Sequence, residues 1–213
     1  ICLDVLERML EEQRFTTEGH RIGMEIELNL VDAAHQPAMD NHDVLAAIAN
    51  EEFQTELARF NIEFNVPPGD LGGDCLLQLE ESLRASLNEA ERRSAARGTH
   101  ILMTGILPTV MAEHFTGDWM SDNVRYAALN DAVLAARGEV IHLDIDGPAG
   151  ERLVVFADSL APESACTSMQ LHLQVRPEDF ADHWNAAQVL AGPQVALAAN
   201  SPFLMGAQLW AET

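Results

Sequence analysis

The stretch RIGMEIELNLVD, residues 21–32, sets two carboxylates, Glu25 and Glu27, two positions apart inside an apolar run. In an extended strand successive side chains point to opposite faces. Met24, Ile26, Leu28 and Leu30 therefore share one side, and Gly23, Glu25, Glu27 and Asn29 the other. A solvated outer face accounts for this pattern, and so does a pair of acids converging on a cation. Two more stretches favour the cation. In FNIEFNVPP, residues 60–68, Ile62, Phe64 and Val66 oppose Asn61, Glu63 and Asn65. In SMQLHLQV, residues 168–175, Met169, Leu171, Leu173 and Val175 oppose Ser168, Gln170, His172 and Gln174. The three polar faces hold carboxylates, carboxamides and an imidazole but no Arg or Lys, whereas solvated faces usually mix both signs of charge. If the strands are neighbours, Glu25, Glu27, Glu63 and His172 share one surface. Such acids raise one another's pKa values unless divalent ions neutralise them. Oxygen ligands point to Mg²⁺ or Mn²⁺, with His172 as a minority nitrogen ligand or a phosphate contact.

The 213 residues are 47% hydrophobic, enough for a core of ordinary size in one domain or most of a larger one. Against 34 Asp and Glu stand 12 basic residues, all of them Arg, for a net charge of −22. A field of that sign repels nucleic acid and anionic membranes, so neither is an expected partner. Cys2, Cys75 and Cys166 are odd in number and lack metal-type spacing, which points to a reducing, cytoplasmic compartment. Cys166 lies six residues before His172, but a thiol nucleophile needs an orienting partner that the sequence does not offer. The opening segment reads as an amphipathic charged helix rather than a signal peptide. The run from Ala186 to Trp210 is apolar but broken by Pro and Gly, and it reads as a buried helix of a soluble domain. The chain opens on Ile1 and stops at QLWAET inside what reads as an uncapped helix, so part of a longer protein is expected.

Helical periodicity covers 2–14, 43–50, 73–97, 124–137 and 177–199, with Gly98 and Gly138 as C-terminal stops. Strands are expected at 22–31, at 60–66 closed by Pro67 and Pro68, at 100–107 and at 168–175. A hairpin is expected around Asp-Gly-Pro-Ala-Gly at 146–150, with His142, Asp144 and Asp146 solvated beside its turn. No internal repeat or linker interrupts the chain. The order of elements predicts one α+β domain with an antiparallel or mixed sheet.

The blocks GMEIELNLVD, ELARFNIEFNVPP, MTGILPT, CTSMQLHLQV and AGPQVALAANSPFLMGAQLW resemble, in order and over nearly the whole chain, the glutamate-cysteine ligase type 2 (carboxylate-amine ligase) family, particularly its actinobacterial branch. The resemblance implies a glutamine-synthetase-like fold: an antiparallel β-sheet saddle with helices packed on one face and ATP with its divalent metals on the other. It makes residues 1–213 the N-terminal part of such a catalytic domain. It implies that Glu25, Glu27 and Glu63 are metal ligands, that Gln170 and His172 serve the metal-nucleotide site, and that Asn200 and Ser201 form a substrate-side element. Glu56 matches a further acid, although its parity along the sequence differs from that of Glu63, so that a bulge is needed to bring both to one face. Family members continue past the equivalent of Thr213 with further acids and arginines, so residues 1–213 alone are expected not to turn over.

The expected activity is ATP- and Mg²⁺- or Mn²⁺-dependent joining of a carboxylate, the γ-carboxylate of glutamate, to an amine such as that of cysteine, through an acyl phosphate. The partners are then small molecules, with homo-oligomerisation left open. Two alternatives use the same surface: a non-catalytic binding module and a metal-dependent phosphohydrolase.

Overall fold

The computed structural model describes residues 2–16 and 19–213; Ile1, Thr17 and Glu18 lie outside the described residues. The helices are α1 (Cys2–Glu11), α2 (Asn41–Ile48), α3 (Cys75–Ala95), α4 (Val124–Arg137), α5 (Ala161–Ser164) and α6 (Phe180–Ala198). The strands are β1 (Arg21–Val31), β2 (Phe53–Thr55), β3 (Asn61–Asp70), β4 (His100–Leu102), β5 (Ile141–Asp146), β6 (Arg152–Ala157), β7 (Met169–Leu173), β8 (Phe203–Leu204) and β9 (Ala207–Gln208).

β1 is the central strand of an open five-stranded sheet. β3 lies on one side of it, with β2 beyond, while β7 and β4 pair with the N-terminal and C-terminal parts of its other edge. Every pairing is antiparallel, as expected. The apolar alternation places Ile26, Leu28 and Leu30 of β1 and Ile62, Phe64 and Val66 of β3 in one buried layer. That layer is covered by Val44 and Ile48 of α2 and by Leu79, Leu83, Leu87 and Ala90 of α3. The spacing of those α3 residues repeats every three or four positions, the period that keeps one helix face on the sheet. A second core gathers Val31, Phe60, Ile106, Val110, Trp119 and Leu160, with Ile141, Ile145 and Leu153 of the β5–β6 hairpin packed against it. Gly138, with φ 70°, ends α4 where the sequence places the stop. No helix among the described residues is long and apolar enough to cross a membrane.

Four local expectations are corrected. β3 does not stop at Pro67 and Pro68 but runs on to Asp70. A bulge between Ile22 and Met24 absorbs the change of register there, and β2, which pairs only at 62–64, asks the prolines for no N–H. The expected strand at 100–107 shortens to β4, because from Met103 the chain leaves the ladder so that Ile106 and Leu107 can enter the second core. α6 forms but has no buried residue along its length, so its apolar composition is not matched by burial. The segment after it is not an unfinished helix. Met205 (φ 47°) and Gly206 (φ 81°) turn it into the β8–β9 hairpin, the two-residue geometry that needs positive φ at both positions.

Candidate metal centre

Register decides what shares the polar face. Glu25 lies opposite Asn65 of β3 and Gln170 of β7, Glu27 opposite Glu63, and Gly23 opposite His172. The three polar faces read from the sequence are therefore one continuous surface, turned away from α2 and α3. Within it Glu27, Glu56 and Glu63 each bring a carboxylate oxygen within 4.8 Å of the other two, and all three are partly buried. Glu25 and His172 fall outside this trio and pair beside it, Oε1 to Nε2 at 3.3 Å. The expected foursome is thus divided, and Glu56 takes the third place among the clustered acids.

Glu56 needs no bulge to get there. It follows β2, which runs antiparallel to β3 with Gln54 opposite Glu63. Glu56 is two residues beyond Gln54, so it keeps the same face. Parity along the sequence misled because the chain reverses between positions 56 and 63; the reversal separates two strands, each with its own alternation.

The trio is crowded with negative charge. Burial, with the charges of Glu27 and Glu63 and a shared hydrogen bond to Glu63, pushes Glu56 up from 4.5 to about 7, against the Leu57 N–H that it accepts. Burial also raises Glu27, with Glu63 adding to it and Ser168 and Gln170 opposing. Glu63 accepts from Asn65 Nδ2 at 2.7 Å. Tyr126 of α4 stands nearby, its hydroxyl donating to Thr55 O at 2.6 Å and its own ionisation pushed up by burial and by Glu56. Three hard oxygen donors at this spacing, one of them inclined to keep a proton, fit a hard divalent cation. The Cys166 thiol is pushed up by desolvation and by Glu163 and Glu27, which counts against a nucleophilic role.

At the N-terminal end of β1 an open cleft of about 440 Å³ runs along the face, lined by Arg21, Glu25, Asn65, Pro67, His172 and Gln174 among others. Gly23 also lines it. Arg21 donates Nη2 to Pro68 O at 2.7 Å and has no acidic partner among the described residues. Asn200 and Ser201 lie at the other end of β1. Asn200 O accepts from Gly105 N–H at 3.2 Å, and a Cβ on Gly105 would collide with Ser201 Oγ. They do not join the trio; they back the loop beside it.

The model of glutamate-cysteine ligase family 2 (GCS2) matches residues 21–213. The chain belongs to that family. No curated protein matches it. The glutamate-cysteine ligase family 2 comprises ATP-dependent carboxylate-amine ligases, generally metal-dependent, so membership implies a ligase. Sequence reasoning missed Arg21, Tyr126 and the placement of Ser168. For Glu56 the signal was present, as ELARF separates two apolar alternations and so marks a strand reversal.

Proposed function

We propose that this glutamate-cysteine ligase family member joins the γ-carboxylate of glutamate to an amine, that of cysteine being the first candidate, at the expense of ATP. The single observation that carries the reading is the Glu27–Glu56–Glu63 trio, set beside the Glu25–His172 pair and a cleft on the same sheet face. In the reaction a carboxylate oxygen attacks the γ-phosphorus of ATP and ADP leaves. The amine nitrogen then attacks the acyl carbon of the resulting acyl phosphate, inorganic phosphate leaves, and the nitrogen loses a proton. No protein nucleophile is needed. Glu27, Glu56 and Glu63, with Glu25 and His172 beside them, would hold Mg²⁺ or Mn²⁺, which when bound would supply charge neutralisation at the phosphates. Arg21 offers free guanidinium donors to a phosphate lying in the cleft, and Asn200 and Ser201 remain on the substrate side. Residues 1–213 are in this reading the N-terminal part of the catalytic domain.

The test is mass-detected turnover of the full-length protein with ATP, Mg²⁺, glutamate and a panel of amines. Amide product formed in step with ADP supports the ligase. Phosphate released at the same rate without any amine assigns a phosphohydrolase instead, and nucleotide binding without turnover a binding module.

A further inference from the structure

Glu27 is the most firmly held carboxylate of the trio, and its partners come from the strand next door. Its own N–H donates to Ser168 O at 2.9 Å. Ser168 N–H donates back to Glu27 Oε2 at 2.7 Å, and Ser168 Oγ lies 3.2 Å from the same oxygen. Gln170 Nε2 donates to Oε1 at 3.2 Å. Both oxygens are thereby fixed, and Oε1, with a single donor, keeps a lone pair for a cation. By contrast, the Glu56 carboxylate accepts from the N–H of the next residue, Leu57, at 2.9 Å.

The residue before this cradle is anchored in the interior. Thr167 donates its N–H to Gly105 O at 2.7 Å and its hydroxyl to Thr104 O, and accepts from Asn29 Nδ2 at 3.2 Å. Asn29, fully buried, accepts in turn from Asn61 Nδ2 at 3.0 Å. The cradle is thus tied to the sheet by a buried amide network rather than left on a free strand edge.

We infer that Ser168 and Gln170 are positioning residues that aim the Glu27 carboxylate at the cation, so that the Gln170 amide serves the metal ligand and not the nucleotide. The inference rests on the metal-centre reading above. Groups that hydrogen-bond a metal ligand fix its rotamer, and losing one typically weakens metal binding about 10- to 100-fold.

The experiment is Mn²⁺ titration of the protein by electron paramagnetic resonance without nucleotide, with thermal unfolding recorded on each sample. Gln170→Leu, of similar volume, is expected to weaken Mn²⁺ binding about 10-fold or more at an unchanged melting temperature. Ser168→Ala is expected to have a smaller effect, because its N–H remains, and Ser168→Thr to restore it. If Gln170→Leu lowers the melting temperature, Gln170→Asn, which keeps the amide and shortens its reach, takes its place with the same expectation. Wild-type Mn²⁺ affinity in the Gln170 variant overturns the inference. So does a loss seen only in samples containing ATP, which would return Gln170 to the nucleotide. Absence of Mn²⁺ binding in the wild-type protein overturns the metal-centre reading itself, and is told apart because it appears before any substitution is made.

Discussion

Glu56 sets the protonation state of the trio near neutrality. Its pKa is raised from 4.5 to about 7 on folding, so between those values the folded chain holds a proton that the unfolded chain has lost. By linkage its contribution to stability falls as pH rises through that window and levels off above it. In metal-free buffer the melting temperature is therefore expected to drop between pH 5 and about 7.5, and Glu56→Gln to flatten the drop. A metal must displace that proton, so Mn²⁺ affinity should rise with pH through about 7 in the wild type and lose much of this dependence in Glu56→Gln. An unaltered pH profile in that variant would show that Glu56 is not a ligand. Arg21 argues at the same scale from the cleft. Arg21→Ala should weaken ATP binding by roughly tenfold, the worth of one charge-assisted contact, and leave metal-only binding unchanged in a calorimetric titration.

At the scale of elements, β1 carries the fold on one face and the site on the other. Ile26→Asp places an unpaired charge where 1% of the side chain is exposed, and denaturant melts should show an unfolded protein, since the cost is several kcal/mol. A soluble, cooperative Ile26→Asp protein would mean that the faces of β1 are reversed. The close approach at Gly105 is a second test. A methyl there would sit 2.9 Å from Asn200 O, so Gly105→Ala should cost about 1–3 kcal/mol in chemical denaturation and push the Asn200–Ser201 turn away. This division of labour was legible in the sequence for β1, β3 and β7, because alternation is local and each strand declares its own two faces. The place of Glu56 was not legible along a single alternation, since it depends on the direction of the short β2. Nor was the exposure of α6, whose composition speaks of burial while nothing local specifies what it packs against.

For the whole molecule, a net charge of −22 on 213 residues means that the fold works against its own field. Added NaCl should raise the melting temperature modestly through screening. MgCl₂ at equal ionic strength should raise it further, by mass action at the trio. Glu27→Gln should remove the excess due to Mg²⁺ and leave the effect of NaCl, and equal responses to both salts in the wild type would remove the case for a specific site. The sequence by itself determined the two-faced strands, the carboxylates and carboxamides on their polar sides, the helices at α3 and α4, with Gly138 ending α4, and, through its five blocks, membership in the glutamate-cysteine ligase family 2. All of these are written in residue order and strand period. Only the tertiary structure decided that β1 lies between β3 and β7, that three of the acids cluster while Glu25 pairs with His172, and that Ser168 and Gln170 reach Glu27. Those contacts join residues up to 143 positions apart, and strand order and register, not local pattern, bring them together.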